Sequence, residues 1–292
     1  MDKKKALAGI KLLDDPDENI YNSVRKSLME YGRDVIPLLE SEWEGSLNPI
    51  MQKRIEEIVK SINAAVINKD LEEWLQSGRY DLVYGAWIIA RTNYPDLDIE
   101  TVREKLNKIR NEVWLEFNEE LTGVEKIRIL NHILFKEKGF YPNTTNFFAP
   151  QNGMINLALD SGKCNPVMLG IIYIAIARDL EMPVYGVDLP NNFILAYLDP
   201  VSSALAFGDD TSDQVLFYIN PFNRGAVFGR KVIDQFLAHS KTEPKPQYYL
   251  PSKPAGIIYK LCETLQISYD KSGYADKSKE IKGLMKIIED YI

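Results

Sequence analysis

The stretch "SGKCNPVMLGIIYIAIARDLEMPVYGV", residues 161–187, decides how the whole chain is read. Asn165 is a favoured N-cap residue, and Pro166 then falls at the first helical position, where its missing N–H is no loss. The run after Pro166 is apolar on nearly every face, so "NPVMLGIIYIAIARDL" reads as a central, buried helix. Just ahead of it stands Cys164, one of two cysteines in the chain. A thiol attacks only as thiolate, and a free cysteine titrates near about 8.5. A helix N-terminus favours the negative charge. A paired histidine, oriented by Asp or Asn, normally completes the activation. The chain offers only His132, inside the amphipathic "LNHILF", and His239, near a loop in "QFLAHSKTEPKP". Neither comes after Cys164 on a strand at a natural distance. Two readings of Cys164 therefore stand side by side: a nucleophile, or a small buried residue at the mouth of a core helix.

Downstream of the helix the texture turns to strands: "PVYGVDL", "NFILAYLD", "ALAF" and "QVLFYIN", with "GDDTSD" as a hairpin tip. A helix feeding several antiparallel strands is an α+β pattern. Upstream, the first third is helical. "LLDDPDENIYNSVRKSLMEYGRDVIPLLESEW" places Asp15 as N-cap, Pro16 at the first helical position and Glu18 at capping-box spacing. Ile20, Val24 and Leu28 recur every four residues as one apolar stripe, and Gly32 ends the helix. This pattern resembles a HEAT-like repeat, with about one and a half units visible where about three make an independent solenoid. "MQKRIEEIVKSI" continues helical, "DLEEWLQ" and "DLVYGAWIIARTNYP" read as two more short helices, and Pro95 breaks the pattern. Asp98 caps the helix after it. Thr122 and Glu125 have capping-box spacing ahead of Ile129, Leu130, Ile133 and Leu134, and Gly139 is the stop. "FYPNTTNFFAPQNG" is an aromatic loop, "MINLALD" a short helix, and the chain from Pro251 a helical hairpin.

Composition narrows the function classes. The net charge of −7 and the lack of a Lys/Arg stripe argue against nucleic acid. No apolar stretch reaches about 18 residues without a charge, so no membrane span is expected. "ALAGIKLL" makes a poor signal peptide, and "MDKKK" a solvated tail. Cys164 and Cys262 do not make a disulfide framework, which suits a reducing, cytoplasmic setting. No Cys/His set has zinc spacing, no phosphate-cradling glycine motif is present, and Asp209, Asp210 and Asp213 lack EF-hand spacing. No metal and no cofactor is expected.

Four stretches together carry a family likeness: "YGAWIIARTNYPDLDIETVREKLNKI", "ILNHILFKEKGFYPNTTNFFAPQNGMINLAL", "GKCNPVMLGIIYIAIARDLEMPVYGVDLPNNFILAY" and "FYINPFNRG". They resemble the transglutaminase-like core of bacterial SirB-type proteins, a papain-like cysteine protease fold. The likeness covers about residues 80 to 235, and more loosely the C-terminal hairpin, where that family continues into tetratricopeptide-like helices. With the HEAT-like pattern upstream, the chain is read as a HEAT-like helical region over 1–75, the core with its leading helices over 76–240, and a helical hairpin over 241–292. Active members of the wider superfamily use a Cys-His-Asp triad. By the resemblance, Cys164 holds the cysteine position. The histidine stretch, "LPGHFL" in members that have it, is "LPNNFIL" here and puts Asn192 in that place. The aspartate stretch, like "IDPFNGG", is "INPFNRG" and puts Asn220 in that place.

An asparagine is neutral and takes no proton from a thiol near neutral pH. General acid–base help worth roughly 10²–10⁴-fold in rate would then be missing. Asn192 and Asn220 are expected to bridge by hydrogen bonds and hold the old site together. The resemblance thus implies a catalytically degenerate protein that binds a protein or peptide partner. The alternative is a cysteine hydrolase or acyltransferase using Cys164 with an unrecognised base. Asn152 and Asn156 are read as amides that fix a loop, and the aromatic loop as pinned to the core or lining a cleft beside Cys164.

Overall fold

The structure, a computed structural model, describes residues 2–78, 81–118, 120–198 and 214–292. The strand expected over "ALAF", the hairpin tip at 208–213 and the three aspartates there lie outside these residues. The chain divides into two compact units, Met1–Glu72 and Glu73–Ile292.

The first unit is helical: α1 (Lys3–Ile10), α2 (Glu18–Met29), α3 (Ile36–Gly45) and most of α4 (Pro49–Gln76). The N-cap of α2 is Asp17, whose side chain accepts from the Asn19 N–H; the expected cap, Asp15, instead accepts from the Asp17 N–H at 2.8 Å. An Asx-type turn ahead of the helix thus replaces the expected capping box, because a short acidic side chain serves either geometry. The stripe is also rotated: Tyr21 and Leu28 are buried while Ile20 is exposed, and the core they join includes Ile10, Leu39, Ile55 and Ile58. "MQKRIEEIVKSI" and "DLEEWLQ" are not two helices but one, since nothing between them breaks α4.

The second unit mixes helices with a sheet. Helices α5 (Leu82–Ala90), α6 (Ile99–Leu115) and α7 (Gly123–Asn131) lead into it. Asp98 caps α6, and Thr122 with Glu125 forms a reciprocal capping box on α7. The helix does not run straight to Gly139: His132–Glu137 is a π-helical turn, and Gly139 then adopts φ +67°. Strands β1 (Tyr141–Pro142) and β2 (Lys163–Cys164) form a two-residue parallel ladder around α8 (Ile155–Ser161). Then comes α9 (Pro166–Asp179), capped by Asn165 as its sequence predicts, with the Asn165 Oδ1 accepting from the Met168 N–H at 2.7 Å. Its buried residues run from Val167 to Ala177 on all sides.

The sheet is an antiparallel meander, β3 (Val184–Leu189), β4 (Asn192–Leu198), β5 (Val215–Asn220) and β6 (Ala226–Phe228). Strand β6 has no counterpart among the strands expected from the sequence. "NPFNRG" folds as a 3-10 turn whose Arg224 takes φ +50° and sends the chain back along β5. Both faces of β4 are covered. Phe193 and Leu195 point at α9, while Ile194, Ala196 and Leu198 share a core with Ile233 and Leu237 of α10 (Arg230–His239). That is why β4 reads as continuously apolar rather than alternating. Helices α11 (Pro254–Lys271) and α12 (Ala275–Glu289) form the expected hairpin, turning at Gly273 with φ +77°.

The close approach of α9 to the sheet rests on two glycines. A Cβ on Gly170 would lie 2.4 Å from Phe193 Cε1, and one on Gly186 2.6 Å from Phe193 Cζ. Gly170→Ala should therefore destabilise the fold by about 1–3 kcal/mol through overpacking, read as a lower urea midpoint. Gly283→Ala, in α12 with open space around its Cα, should instead raise stability by up to about 1 kcal/mol.

Candidate functional site

The two-residue ladder of β1 and β2 sets Cys164. The Tyr141 N–H donates to the Gly162 carbonyl at 2.9 Å, and the Asn143 N–H to the Cys164 carbonyl at 3.1 Å. Gly162 makes the turn into β2 with φ +70°, and a Cβ there would meet the Gly139 carbonyl oxygen at 2.7 Å. Strand alternation then puts Lys163 outside and Cys164 inside. Cys164 is 1% exposed, and its thiol points to the Gly162 carbonyl at 3.8 Å. Burial alone pushes the thiol far above its ordinary range, with no charged group to pull it back. Cys262, in α11, is likewise pushed up to about 12 by burial.

Both histidines are on the surface. The His132 side chain is 55% exposed and pairs with Glu137 at 3.3 Å. His239 ends α10, also exposed. Neither contributes to the state of the Cys164 thiol.

Asn192 and Asn220 occupy turns. Asn192 opens β4 opposite Leu189, after a tight connection in which Pro190 fixes one φ and Asn191 takes φ +56°. Its Oδ1 accepts from the adjacent Phe193 N–H at 2.8 Å. Asn220 closes β5 and caps the 3-10 turn, its Oδ1 accepting from the Asn223 N–H at 3.2 Å. Among the described residues, no hydrogen bond joins Cys164, Asn192 and Asn220 to one another. The expected bridge between the two amides is therefore absent, because each amide oxygen is taken up by the backbone of its own turn.

What the fold does bring together is a cavity of about 490 Å³ at the N-terminal end of α9. Asn165 and Asn192 give it amide groups, Pro190 and Phe193 an apolar wall, and Phe147 and Phe148 an aromatic lip. The opposite wall is α11, with Lys260, Glu263 and Thr264. Asn165 spans the cavity floor by donating from Nδ2 to Thr264 Oγ1 at 3.3 Å. Cys164 is not among the lining residues, although it precedes Asn165. Asn220 stands one contact behind: Phe222 in its turn packs edge-on against Phe147, with ring centres 6.2 Å apart.

The aromatic lip is held by Asn152, which is buried. Its Nδ2 donates to the carbonyls of Asn146 and Phe147, and its Oδ1 accepts from Asn143 Nδ2 at 2.9 Å. This is the loop-fixing role read from the sequence. The Asn156 Oδ1, by contrast, is buried without a partner.

Among the described residues, Lys260 is the one cation lining the cavity. It is already engaged, by Glu263 at 2.8 Å and Asp188 at 3.2 Å. Burial works against its ammonium, but these carboxylates outweigh it and raise the Lys260 pKa. Burial raises that of Asp188, with Lys260 opposing. The cavity thus presents neutral amides and apolar surface beside a self-satisfied charge cluster. Among the described residues no group of three or more His, Cys, Asp or Glu side chains is placed to hold a metal ion, and no helix is long and apolar enough to cross a membrane.

No local pattern in the chain points to the α11 wall, since Lys260 and Thr264 lie about a hundred residues after Cys164. Nor does any point to Asn131, which accepts from the Tyr173 hydroxyl at 2.9 Å and donates to the Gly225 carbonyl at 2.8 Å. That amide ties α7, α9 and the turn after Asn220 together.

Comparison with known proteins agrees with this architecture. A family model described as transglutaminase-like superfamily matches residues 100–263, more than half of the chain. A UPF0162 protein of Xylella fastidiosa strain Temecula1 is 32% identical over 119 residues, which are 39% of this chain and 41% of that protein; its counterpart in strain 9a5c matches equally. A UPF0162 protein of Vibrio cholerae is 24% identical over 116 residues, 40% of this chain and 43% of that protein. The chain thus spans about two fifths of the length of these curated relatives. No solved structure matches significantly.

The buried thiols predict an alkaline loss of stability. A group whose folded pKa is raised contributes stability that is complete below its unfolded pKa and is lost as pH rises toward the folded value. With an unfolded thiol near about 8.5, each buried cysteine should cost about 2 kcal/mol by about pH 10. Urea unfolding of Cys164→Ala at neutral pH and near pH 10 should show that loss reduced by about 2 kcal/mol relative to the unchanged chain. Native Cys164 should also resist thiol reagents until the protein opens.

Proposed function

This chain belongs to the transglutaminase-like superfamily, and from that premise we propose that it is a catalytically degenerate, SirB-type member whose cleft binds a protein or peptide segment. One observation carries the reading: the cysteine that would act as nucleophile is 1% exposed, and burial alone sets its thiol, upward. A nucleophilic cysteine needs the reverse, a lowered pKa and access to substrate.

Two further features support it. The positions matched to the histidine and aspartate are Asn192 and Asn220, which carry no proton-accepting group. The cleft beside α9 has the size and lining of a recognition site: about 490 Å³, largely apolar, with a few placed polar groups. The Asn192 carboxamide, its oxygen taken by the Phe193 N–H, offers N–H donors that suit a peptide carbonyl. Phe147 and Phe148 supply flat apolar contact at its edge. In this reading residues 1–75 form a HEAT-like region and the α11–α12 hairpin is tetratricopeptide-like. Helical faces of that kind present extended surfaces to partners.

The full chain should give no thiol-dependent turnover of a peptide amide. Thiol-dependent release that disappears in Cys164→Ala would overturn the proposal in favour of a cysteine hydrolase or acyltransferase. On an array of peptides of varied sequence, binding should be lost in Ile267→Arg, which sets a charge at a position 43% exposed on the cleft wall. Far-UV circular dichroism should be unchanged in that variant. Restoring the side chains with Asn192→His and Asn220→Asp should leave turnover absent, because Cys164 stays enclosed.

A further inference from the structure

The carboxamides at the α9 end of the cleft are half spent. Asn165 Oδ1 accepts from the Met168 N–H at 2.7 Å, and Asn192 Oδ1 from the Phe193 N–H at 2.8 Å. Asn165 Nδ2 donates to Thr264 Oγ1, whereas Asn192 Nδ2 has no acceptor among the described residues. A carboxamide nitrogen carries two donors, so Asn192 brings open N–H groups to the cleft while its oxygen is held. On the α11 wall the hydroxyl hydrogens of Thr264 and Ser268 go to the Leu261 and Thr264 carbonyls of their own helix. The side-chain acceptors there are engaged or covered: Thr264 Oγ1 by Asn165, Glu263 by Lys260 at 2.8 Å, and Ser268 by burial. Lys260 is held by two carboxylates, Asp188 and Glu263, so an anionic group beside it would meet like charge. The ligand atom that suits Asn192 is a neutral carbonyl oxygen.

The apolar part of the cleft that faces solvent is Phe147, Phe148 and Ile267, which are 43%, 42% and 43% exposed. The two rings stand at 86° with centres 5.1 Å apart, and Phe222 packs edge-on against Phe147. Asn152 holds their loop through the Asn146 and Phe147 carbonyls. Rings that are exposed and already fixed lose little freedom when they are covered.

We propose that the segment taken by this cleft, in the peptide-binding reading on which this inference rests, is proline-rich and in the polyproline II conformation. Such a chain makes no hydrogen bonds within itself, so its carbonyls remain open as acceptors for Asn192. Proline has no N–H and therefore asks nothing of the committed acceptors on α11. An extended strand would bring N–H groups there and leave them unpaired, which is costly. Its pyrrolidine rings pack on Phe147 and Phe148, since aromatic-lined grooves take preformed polyproline II segments at low entropic cost. An aliphatic residue between the prolines lies against Ile267.

The test uses the full chain and a fluorescein-labelled, end-blocked peptide of proline, leucine and alanine, followed by anisotropy. Its counterpart has every proline replaced by alanine. The proline peptide should bind saturably, with no weakening by added salt, and the counterpart about tenfold more weakly or worse. Asn192→Asp keeps an oxygen for the Phe193 N–H but removes the donors, and should weaken binding about tenfold. Phe148→Ser should do the same, and Leu115→Ser, 73% exposed on α6 and outside the cleft, should change nothing. Far-UV circular dichroism identifies which variants are folded, and the folded ones are compared. The inference is overturned if the alanine counterpart binds as tightly, if either folded cleft variant binds like the unchanged chain, or if Leu115→Ser weakens binding equally. It alone falls if other peptides bind and are lost in Ile267→Arg while the proline peptide is not preferred. If no peptide of any sequence binds saturably, the peptide-binding reading falls with it.

Discussion

The second unit depends on one contact: the ring of Phe193 lies between the backbones of Gly170 and Gly186, with no room for a Cβ at either. It brings α9 close enough to the sheet for the helix and strand β4 to be buried. The consequences spread from there. The helix becomes a core element, its N-terminus is aimed at the β3–β4 turn, and Asn165 and Asn192 come to line one cavity. Interiors pack at crystal-like density, so a helix held this tightly leaves little freedom to the segments at its ends.

Cys164 is one of those segments. Its position stems from a short ladder and a left-handed glycine, and strand alternation turns its side chain inward. The same geometry that would present a nucleophile at a helix mouth here encloses it, with a neighbouring carbonyl as its acceptor. The helix-dipole argument for a lowered pKa fails because it concerns groups that face the exposed N–H donors, whereas desolvation acts on this sulfur from all sides. Residue type at a motif position and chemical competence are thus separate matters. The first is written in the order of the chain. The second depends on solvent access and on partners drawn from distant segments.

The cavity left beside the sulfur has a consistent character. Its cation, Lys260, is engaged by two carboxylates, Asp188 and Glu263, and its floor amide is pinned by Thr264 and by the helix it caps.

Chain order is enough to place the elements whose signals are local. Asn165 before Pro166 predicts the cap of α9, Thr122 with Glu125 the box on α7, Asp98 the cap of α6, and the apolar run after Pro166 a buried helix. These signals lie within one turn of the groups they satisfy, so no distant residue can overrule them. Where two local solutions compete, as Asp15 and Asp17 do ahead of α2, the folded chain makes the choice. Long-range packing settles the rest: Cys164 is sealed, Asn192 and Asn220 are taken up by their own turns, and α11 supplies a wall of the cavity. Each of these depends on contacts between segments far apart in the chain or on exclusion of water, and neither leaves a trace in local spacing.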